Sequence, residues 1–217
     1  MATIRPYQPQ DLDDLYAICL ATGDAGADGS QIYRDPKLLG EIYAAPYAHL
    51  HPQLAFVVED DEGVGGYIVG ALDTYKFEMQ LEEKWWPSLR IVYPDPPLAA
   101  RAQWSPDQRM SYTIHHPPRT PRRISEPFAS HLHINLLPRL QGSGLGRALV
   151  DRWLAQIRAM GGAGVHLAVG SRNERAVKFY RHYGFREIER TGPPFDVIWF
   201  AINADHDRSS TARGQNI

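Results

Sequence analysis

A single cysteine, Cys19, stands among 217 residues, so the chain holds no internal disulfide. That fits a reducing compartment, and the expected location is the cytoplasm. No apolar run approaches the ~20 residues that a membrane span requires. The opening stretch MATIRPYQPQDLDD lacks the apolar core of a signal peptide. Charge of one sign is lacking too. A formal net charge of −2 gives no electrostatic ground for expecting nucleic acid or an anionic membrane as a partner. Metal-ligand sets are thin. His115-His116 and His131-x-His133 invite a metal, but no cysteine or carboxylate cluster accompanies them, and none is expected to bind. No internal repeat recurs. What remains is a chain with 43% hydrophobic residues, enough for one well-buried domain or at most two small ones.

The richest stretch is HLHINLLPRLQGSGLGRALVDRWLAQIRAM, His131 to Met160. Its start alternates as a strand does. His131, His133, Asn135 and Leu137 share one face, and Leu132, Ile134 and Leu136 the other. Pro138 cannot donate to a ladder and ends the strand. Gly142, Gly144 and Gly146 follow at every second position. Then Leu145, Leu149, Trp153 and Ile157 recur at helical spacing until Gly161 and Gly162 stop the pattern. Strand, glycine turn and helix together form an anion site. The first helical N–H groups lack intrahelical partners, the helix N-terminus is partly positive, and glycines let a phosphate approach the backbone. The stretch is not a P-loop, because Arg147 and Ala148 follow the last glycine instead of Lys and Ser/Thr. Nor is it a dinucleotide fingerprint, because the spacing is GxGxG.

A second strand–helix unit follows. GVHLAVG, Gly164 to Gly170, reads as a buried strand. SRNERAVKFYRHYGF, Ser171 to Phe185, reads as a helix with a capping box at Ser171 and Glu174 and a stop at Gly184-Phe185. Asn173, Ala176 and Tyr180 fall on one face of it.

Gln141-x-x-Gly144-x-Gly146 followed by Asn173-x-x-Ala176-x-x-x-Tyr180-x-x-x-Gly184-Phe185 resembles the GCN5-related N-acetyltransferase (GNAT) family. The likeness covers roughly residues 3 to 203. Within that family, CLATGDAGADGS near the start and KWWPSLR in the middle resemble the acetyltransferase-like domain at the C-terminus of O-GlcNAcase and its stand-alone bacterial relatives. The resemblance implies an α/β fold with a central, mixed, mostly antiparallel twisted sheet flanked by helices on both faces. It also implies one domain over residues 1–204, a long insertion at 73–130 before the cofactor-binding strand, and a flexible tail at 205–217.

The order of elements agrees with that fold. Thr3 to Pro6 reads as a strand, Asp11 to Leu20 as a helix with Cys19 on its apolar side, and Asp35 to Ala45 as another helix. Gln53–Glu59 and Gly65–Ala71 form a hairpin over the turn Asp60 to Gly63. Between Asp73 and Ser130 the chain is rich in proline and carries Trp85, Trp86 and Trp104. Long connections of this kind are functional or disordered, and tryptophans favour ordered, partly buried surfaces. Here that means the cleft mouth or a subunit interface, such as that of a homodimer. Phe77–Trp86 and Leu98–Met110 have helical character, and Pro117–Arg123 reads as an extended loop. After Phe185, Glu187–Arg190 and Asp196–Ile202 flank a turn at Gly192-Pro193-Pro194.

The resemblance implies acetyl-CoA as co-substrate and an amine acceptor, a protein lysine or a small molecule. Backbone N–H groups of about Gly142 to Arg147, through Ser143, Gly144, Leu145 and Gly146, would hold the pyrophosphate, with Gln141 a cofactor-binding residue of the same loop and the Arg147 side chain adding charge. Leu136 would offer backbone groups to the pantetheine arm, with Asn173 and Ala176 beside it, and Tyr180 would protonate the leaving thiolate. The base stays open among His133, Asp24, Asp28 and a water relay. Two other classes remain open: an acetyl-CoA binder without turnover, and a protein-interaction module built on the Trp-rich insertion.

Overall fold

The computed structural model describes residues 1–192 and 196–205. In chain order its elements are β1 (Thr3–Pro6), α1 (Leu12–Ala21), α2 (Leu38–Tyr43), α3 (Ala45–Leu50), β2 (Phe56–Asp60), β3 (Gly63–Ala71), α4 (Thr74–Lys84) and α5 (Trp86–Val92). They continue with α6 (Pro106–His115), α7 (Arg122–Ser125), β4 (Ser130–Leu136), α8 (Leu145–Ala159), β5 (Gly164–Gly170), α9 (Glu174–Tyr183), β6 (Arg186–Arg190) and β7 (Val197–Asn203). The strands form one sheet in the order β1-β2-β3-β4-β5-β7-β6. Neighbours are antiparallel except β4 and β5, which run parallel.

That parallel pair is brief. Only Ser130↔Val165 and His131↔His166 are in register. Past them β4 stays paired with β3 as far as Gly66↔Leu136, and β5 with β7 as far as Gly170↔Val197. The sheet therefore opens between β4 and β5 in its middle, while each half remains anchored on its outer side.

Two apolar cores hold the faces. The alternation in β4 sorts its side chains as the pattern requires. Leu132 packs with Leu149, Trp153 and Ile157 of α8 in one core, and Ile134 and Leu136 lie against it. Trp153 is fully buried, and its indole N–H donates to the Leu54 carbonyl at 3.0 Å. The other face is covered by α1 to α4, with Leu15, Leu38, Tyr47 and Phe77 in a second core. Cys19 belongs to it. Burial pushes its thiol up to about 11, as befits a small buried hydrophobe.

The structure corrects several boundaries. The helix expected through Ala45 breaks at Ala44, because Pro46 has no N–H with which to continue α2, and a new helix starts around it. The strand expected from Gln53 begins at Phe56, since Pro52–Leu54 makes a 3-10 turn. Pro87 likewise divides the expected Phe77–Trp86 helix into α4 and α5. Leu98–Gln103 is 3-10, and α6 starts at Pro106 behind a Ser105/Gln108 capping box. The extended loop gives way to α7 at Arg122. The capping box expected at Ser171 and Glu174 is replaced by a cap at Asn173, whose Oδ1 accepts from the Ala176 N–H at 3.1 Å. The turn at 193–194 and the tail from 206 lie outside the described residues.

The insertion is ordered. Trp85 donates to the Glu41 carbonyl at 2.9 Å, Trp104 donates to the Pro97 carbonyl at 3.1 Å, and Trp86 is buried in the second core. Among the described residues, no helix is long and apolar enough to cross a membrane.

Candidate active site

The opening between β4 and β5 borders two cavities. The larger, about 450 Å³, lies beside the α8 N-terminus and extends along Ile134, Asn135 and Leu136 to α9. Gly144 caps α8 with φ +84°, and Gly142 has φ +73°. Side chains rarely adopt that backbone region, and a Cβ at either position would point into open space. Gly146 is tight for a different reason: a Cβ there would lie 3.2 Å from Leu136 and 3.4 Å from Phe179. The glycines thus set the helix end against the strand and leave its first N–H groups facing a space large enough for an anion.

Of the residues singled out in the sequence, Leu136, Gln141, Gly142, Gly144, Gly146, Arg147, Asn173, Ala176 and Tyr180 line this cavity together. Ser143 and Leu145 do not. The Ser143 hydroxyl donates back to the Leu140 carbonyl at 2.7 Å, and Leu145 packs into the first core. The Leu136 carbonyl accepts from the Gln141 side-chain amide at 2.6 Å. Asn173 uses Oδ1 as a helix cap, which leaves Nδ2 as its group for a ligand. Tyr180 is 7% exposed and its ring lies against Phe179, Phe185 and Phe200. Burial pushes its phenol above the ordinary range, so it stays protonated at neutral pH.

One lining residue, Arg175, carried no sequence signal, whereas Asn135 lines the cleft as the polar face of its strand suggests. Arg175 donates to the Gln141 side-chain oxygen and, at 3.4 Å, to the Gly26 carbonyl. Asn135 donates to the Thr22 hydroxyl. With Arg172 paired to Asp24 at 3.0 Å, these contacts hold the loop after α1 against the start of α9. Asp24 and Asp28 border neither cavity. Asp28 is exposed and accepts from the Ser30 N–H and hydroxyl, both at 2.9 Å, which hold its carboxyl below the ordinary range. Neither aspartate is placed to take a proton from a group in the opening.

The smaller cavity, about 200 Å³, is built by the insertion together with β4, β5 and β7. Its walls are mostly apolar and aromatic, including Tyr43, Phe77, Trp86 and Trp199. Glu78 and Glu82 border it, with Arg119 at 3.5 Å and 3.7 Å from their carboxylates. His131, His133 and His166 face it. His133 borders this cavity and Ile134, the next residue, borders the larger one. Burial holds His131 well below its ordinary value and lowers His133 to about 4. The other histidine pair is occupied: His116 contacts Asp95 at 2.9 Å, and His115 contacts the Tyr93 carbonyl at 2.7 Å. Among the described residues, no group of three or more His, Cys, Asp or Glu could hold a metal ion.

A mixed sheet opened between two parallel strands, with a glycine-bordered helix N-terminus at the opening, is the framework of an acyltransferase. The model of the acetyltransferase (GNAT) domain family matches residues 118–187. The crystal structure of SsHAT superposes with a TM-score of 0.82 at 36% identity, covering 94% of this chain and 98% of that one. The chain belongs to the GNAT acetyltransferase family. Protein O-GlcNAcase of Rattus norvegicus is 26% identical over 198 residues, which are 90% of this chain and 21% of that protein. The chain thus spans about a fifth of the length of this curated relative. The protein yncA of Salmonella typhimurium, solved with its cofactor acetyl-CoA, shares the fold with a TM-score of 0.52 at 15% identity, over 95% of this chain and 96% of that one.

Proposed function

We propose that the chain transfers the acetyl group of acetyl-CoA to a primary amine by direct attack, with the donor lying in the larger cavity. The observation that carries this reading is the opened β4–β5 pair, with the α8 N-terminus at one end and the buried phenol of Tyr180 beside it. The N–H groups from Gly142 to Arg147 hold the pyrophosphate, and the Arg147 side chain adds charge. The pantetheine arm runs beside β4, where the strand has no β5 partner past His131. A carbonyl has two lone pairs, so a pantetheine N–H shares Leu136 with Gln141 or displaces its amide. Asn173 donates through Nδ2, and Ala176 gives the arm room on the same helical face.

In the chemical step a neutral amine attacks the thioester carbon. The C–N bond forms as the carbonyl opens, and the C–S bond breaks as it closes again. The amine loses one proton. The leaving thiolate gains one from Tyr180, which recovers it from solvent. A phenol kept protonated by burial is suited to that task.

Tyr180→Phe removes the proton and little else. Its expected result is a kcat lowered about 10²-fold or more, with acetyl-CoA affinity by calorimetric titration unchanged. An unchanged kcat would remove Tyr180 from the chemistry.

A second reading keeps acetyl-CoA binding without turnover. It is favoured by the placement of Asp24 and Asp28, both engaged elsewhere and away from the opening. A thiol-release assay with a panel of amines separates the two. Micromolar acetyl-CoA binding with no thiol release from any amine would establish the silent form.

A further inference from the structure

We propose that Nδ1 of His133 takes the proton of the attacking amine, and that Tyr47, His131 and Thr74 hold it in the tautomer able to do so. This rests on the transferase reading above. It begins from a buried chain of hydrogen bonds that joins α3, α4 and β4. The Thr74 hydroxyl lies 2.7 Å from the Ala129 carbonyl and 2.8 Å from His131 Nδ1. Tyr47 OH lies 2.9 Å from His131 Nε2 and 3.1 Å from His133 Nε2.

The protons in this chain can be assigned one at a time. A carbonyl only accepts, so the single Thr74 hydroxyl hydrogen goes to Ala129. Thr74 oxygen must then accept from His131, which places the His131 proton on Nδ1. His131 is neutral, so its Nε2 is a bare lone pair and accepts the one Tyr47 hydrogen. The Tyr47 oxygen has no hydrogen left for His133 and must accept from it. The His133 proton is therefore on Nε2, and its Nδ1 is the basic nitrogen. Among the described residues, no group is hydrogen-bonded to that nitrogen, and His133 faces the smaller cavity at the residue where the larger one begins.

The arrangement suits an amine entering through the insertion-built cavity. The aromatic walls accept an apolar stem and favour a cationic head, which gives one proton to solvent before the neutral amine attacks. When His133 gains a proton on Nδ1, its Nε2–H still donates to Tyr47, and Tyr47 still donates to His131. The new charge thus meets an intact line of acceptors. The amine nitrogen forms its bond to the acetyl carbon as its proton passes to Nδ1, and the imidazolium returns that proton to solvent. The groups facing His133 are Tyr43 and Tyr47 from the helices, with His131 and His166 from the strands. None of these is a carboxylate; Glu78 and Glu82 border the same cavity, and Arg119 pairs with both. His166 is the rival base. Its Nδ1 contacts the Phe128 carbonyl at 2.6 Å, which leaves Nε2 unprotonated, but it sits at the closed end of the opening, where β4 and β5 still pair.

The test uses the full chain with acetyl-CoA and two probes, 2-phenylethylamine as a free amine and Nα-acetyl-lysine methylamide for a peptide lysine. His133→Ala is expected to lower kcat by about 10²- to 10⁴-fold without changing acetyl-CoA affinity, with partial rescue by added imidazole. Tyr47→Phe is expected to lower kcat about tenfold, as the loss of one neutral hydrogen bond would, and to let the His133 tautomer change. Nitrogen-15 spectra of the wild-type chain read that tautomer without any turnover. Nδ1 of His133 is expected to be unprotonated and Nε2 protonated. The reverse assignment overturns the proposal, as does His133→Ala at the wild-type rate or a His166→Ala loss as large as the His133→Ala loss. If neither probe nor any other amine releases thiol, the base falls together with the transferase reading. A wild-type chain that turns over while His133→Ala does so equally well sinks this proposal alone. Turnover of only one probe assigns the amine's source.

Discussion

Gly144→Glu and Gly142→Glu are each expected to weaken acetyl-CoA binding by about three orders of magnitude, with the chain still folded. Three effects add at these positions. Each glycine has a positive φ, and a side chain there costs about 1–2 kcal/mol in backbone strain. A carboxylate beside the pyrophosphate replaces attraction to the helix N-terminus by repulsion. Any displaced phosphate also loses N–H bonds worth about 1.5–3 kcal/mol each. The space around both positions is open, with no atom within 4 Å of a built Cβ, so the core need not move. Gly161→Glu is the matched control. It too has a positive φ, +82°, and open space, but it lies just past the far end of α8. It should show the strain in a thermal melt and leave affinity untouched. Calorimetric titration of the three variants checks this. Equal loss in Gly161→Glu would mean that strain, not the anion site, governs binding, and wild-type affinity in Gly144→Glu would remove the pyrophosphate from the α8 N-terminus.

The parts of this site readable in sequence are those written by local rules. Alternation in His131 to Leu137 places the histidines on one face and the leucines on the other, because successive side chains on a strand point oppositely. The spacing of Leu145, Leu149, Trp153 and Ile157 marks α8, and the glycines mark its start. Asn173 and Tyr180 share a face because two helical turns separate them. The sequence is silent where the contact is long-range. Tyr47 meets His131 and His133 across 84 and 86 residues, and no local pattern marks a tyrosine in a short helix as their partner. Arg175 carries no signal either, since a basic residue in the first turn of a helix is ordinarily solvated. Asp24 and Asp28 mislead in the opposite direction. Acidic residues in a small-residue loop suggest a cationic ligand, yet they are engaged by Arg172 and Ser30. Ser171 misleads by spacing alone: a serine three residues before a glutamate has the form of a capping box, but Asn173 makes the cap. Helix ends in the insertion are legible only through proline. Pro46, Pro87 and Pro106 each fall in the first turn of a new helix.

The histidines that line the opening also set how the fold responds to acid. Burial is the first cause for all three. It lowers His131 well below 6.5, lowers His133 to about 4, and lowers His166 as well, although the Phe128 carbonyl partly offsets the last. A histidine depressed in the fold is charged more readily when unfolded, near its ordinary value of about 6.5. Below that pH the unfolded chain binds protons that the folded chain refuses, so stability falls as the pH falls. Above it neither state binds them, and stability is flat in this respect. The slope is about 1.4 kcal/mol per pH unit for each such histidine. For His133 it continues to about pH 4, a loss of about 3 kcal/mol. That is a sizeable share of the 5–15 kcal/mol typical of a domain. Carboxylates lowered in the fold act in a lower window, whereas burial raises Glu41 and Asp14, whose proton uptake in the fold offsets part of the loss at the acid end. Asp11 is pushed up by its own burial, but Arg5 and the Gln8 N–H bring it below 3.8, so its contribution is lost only under more acid conditions. The melting temperature should therefore be level from pH 7 to 8 and drop steeply between 6.5 and 4. His133→Gln, which cannot take up the proton, should shallow that drop by about one histidine's share. Parallel slopes for the two proteins, or a melting temperature that holds level down to pH 4.5, would show that the cluster accepts protons without opening the fold.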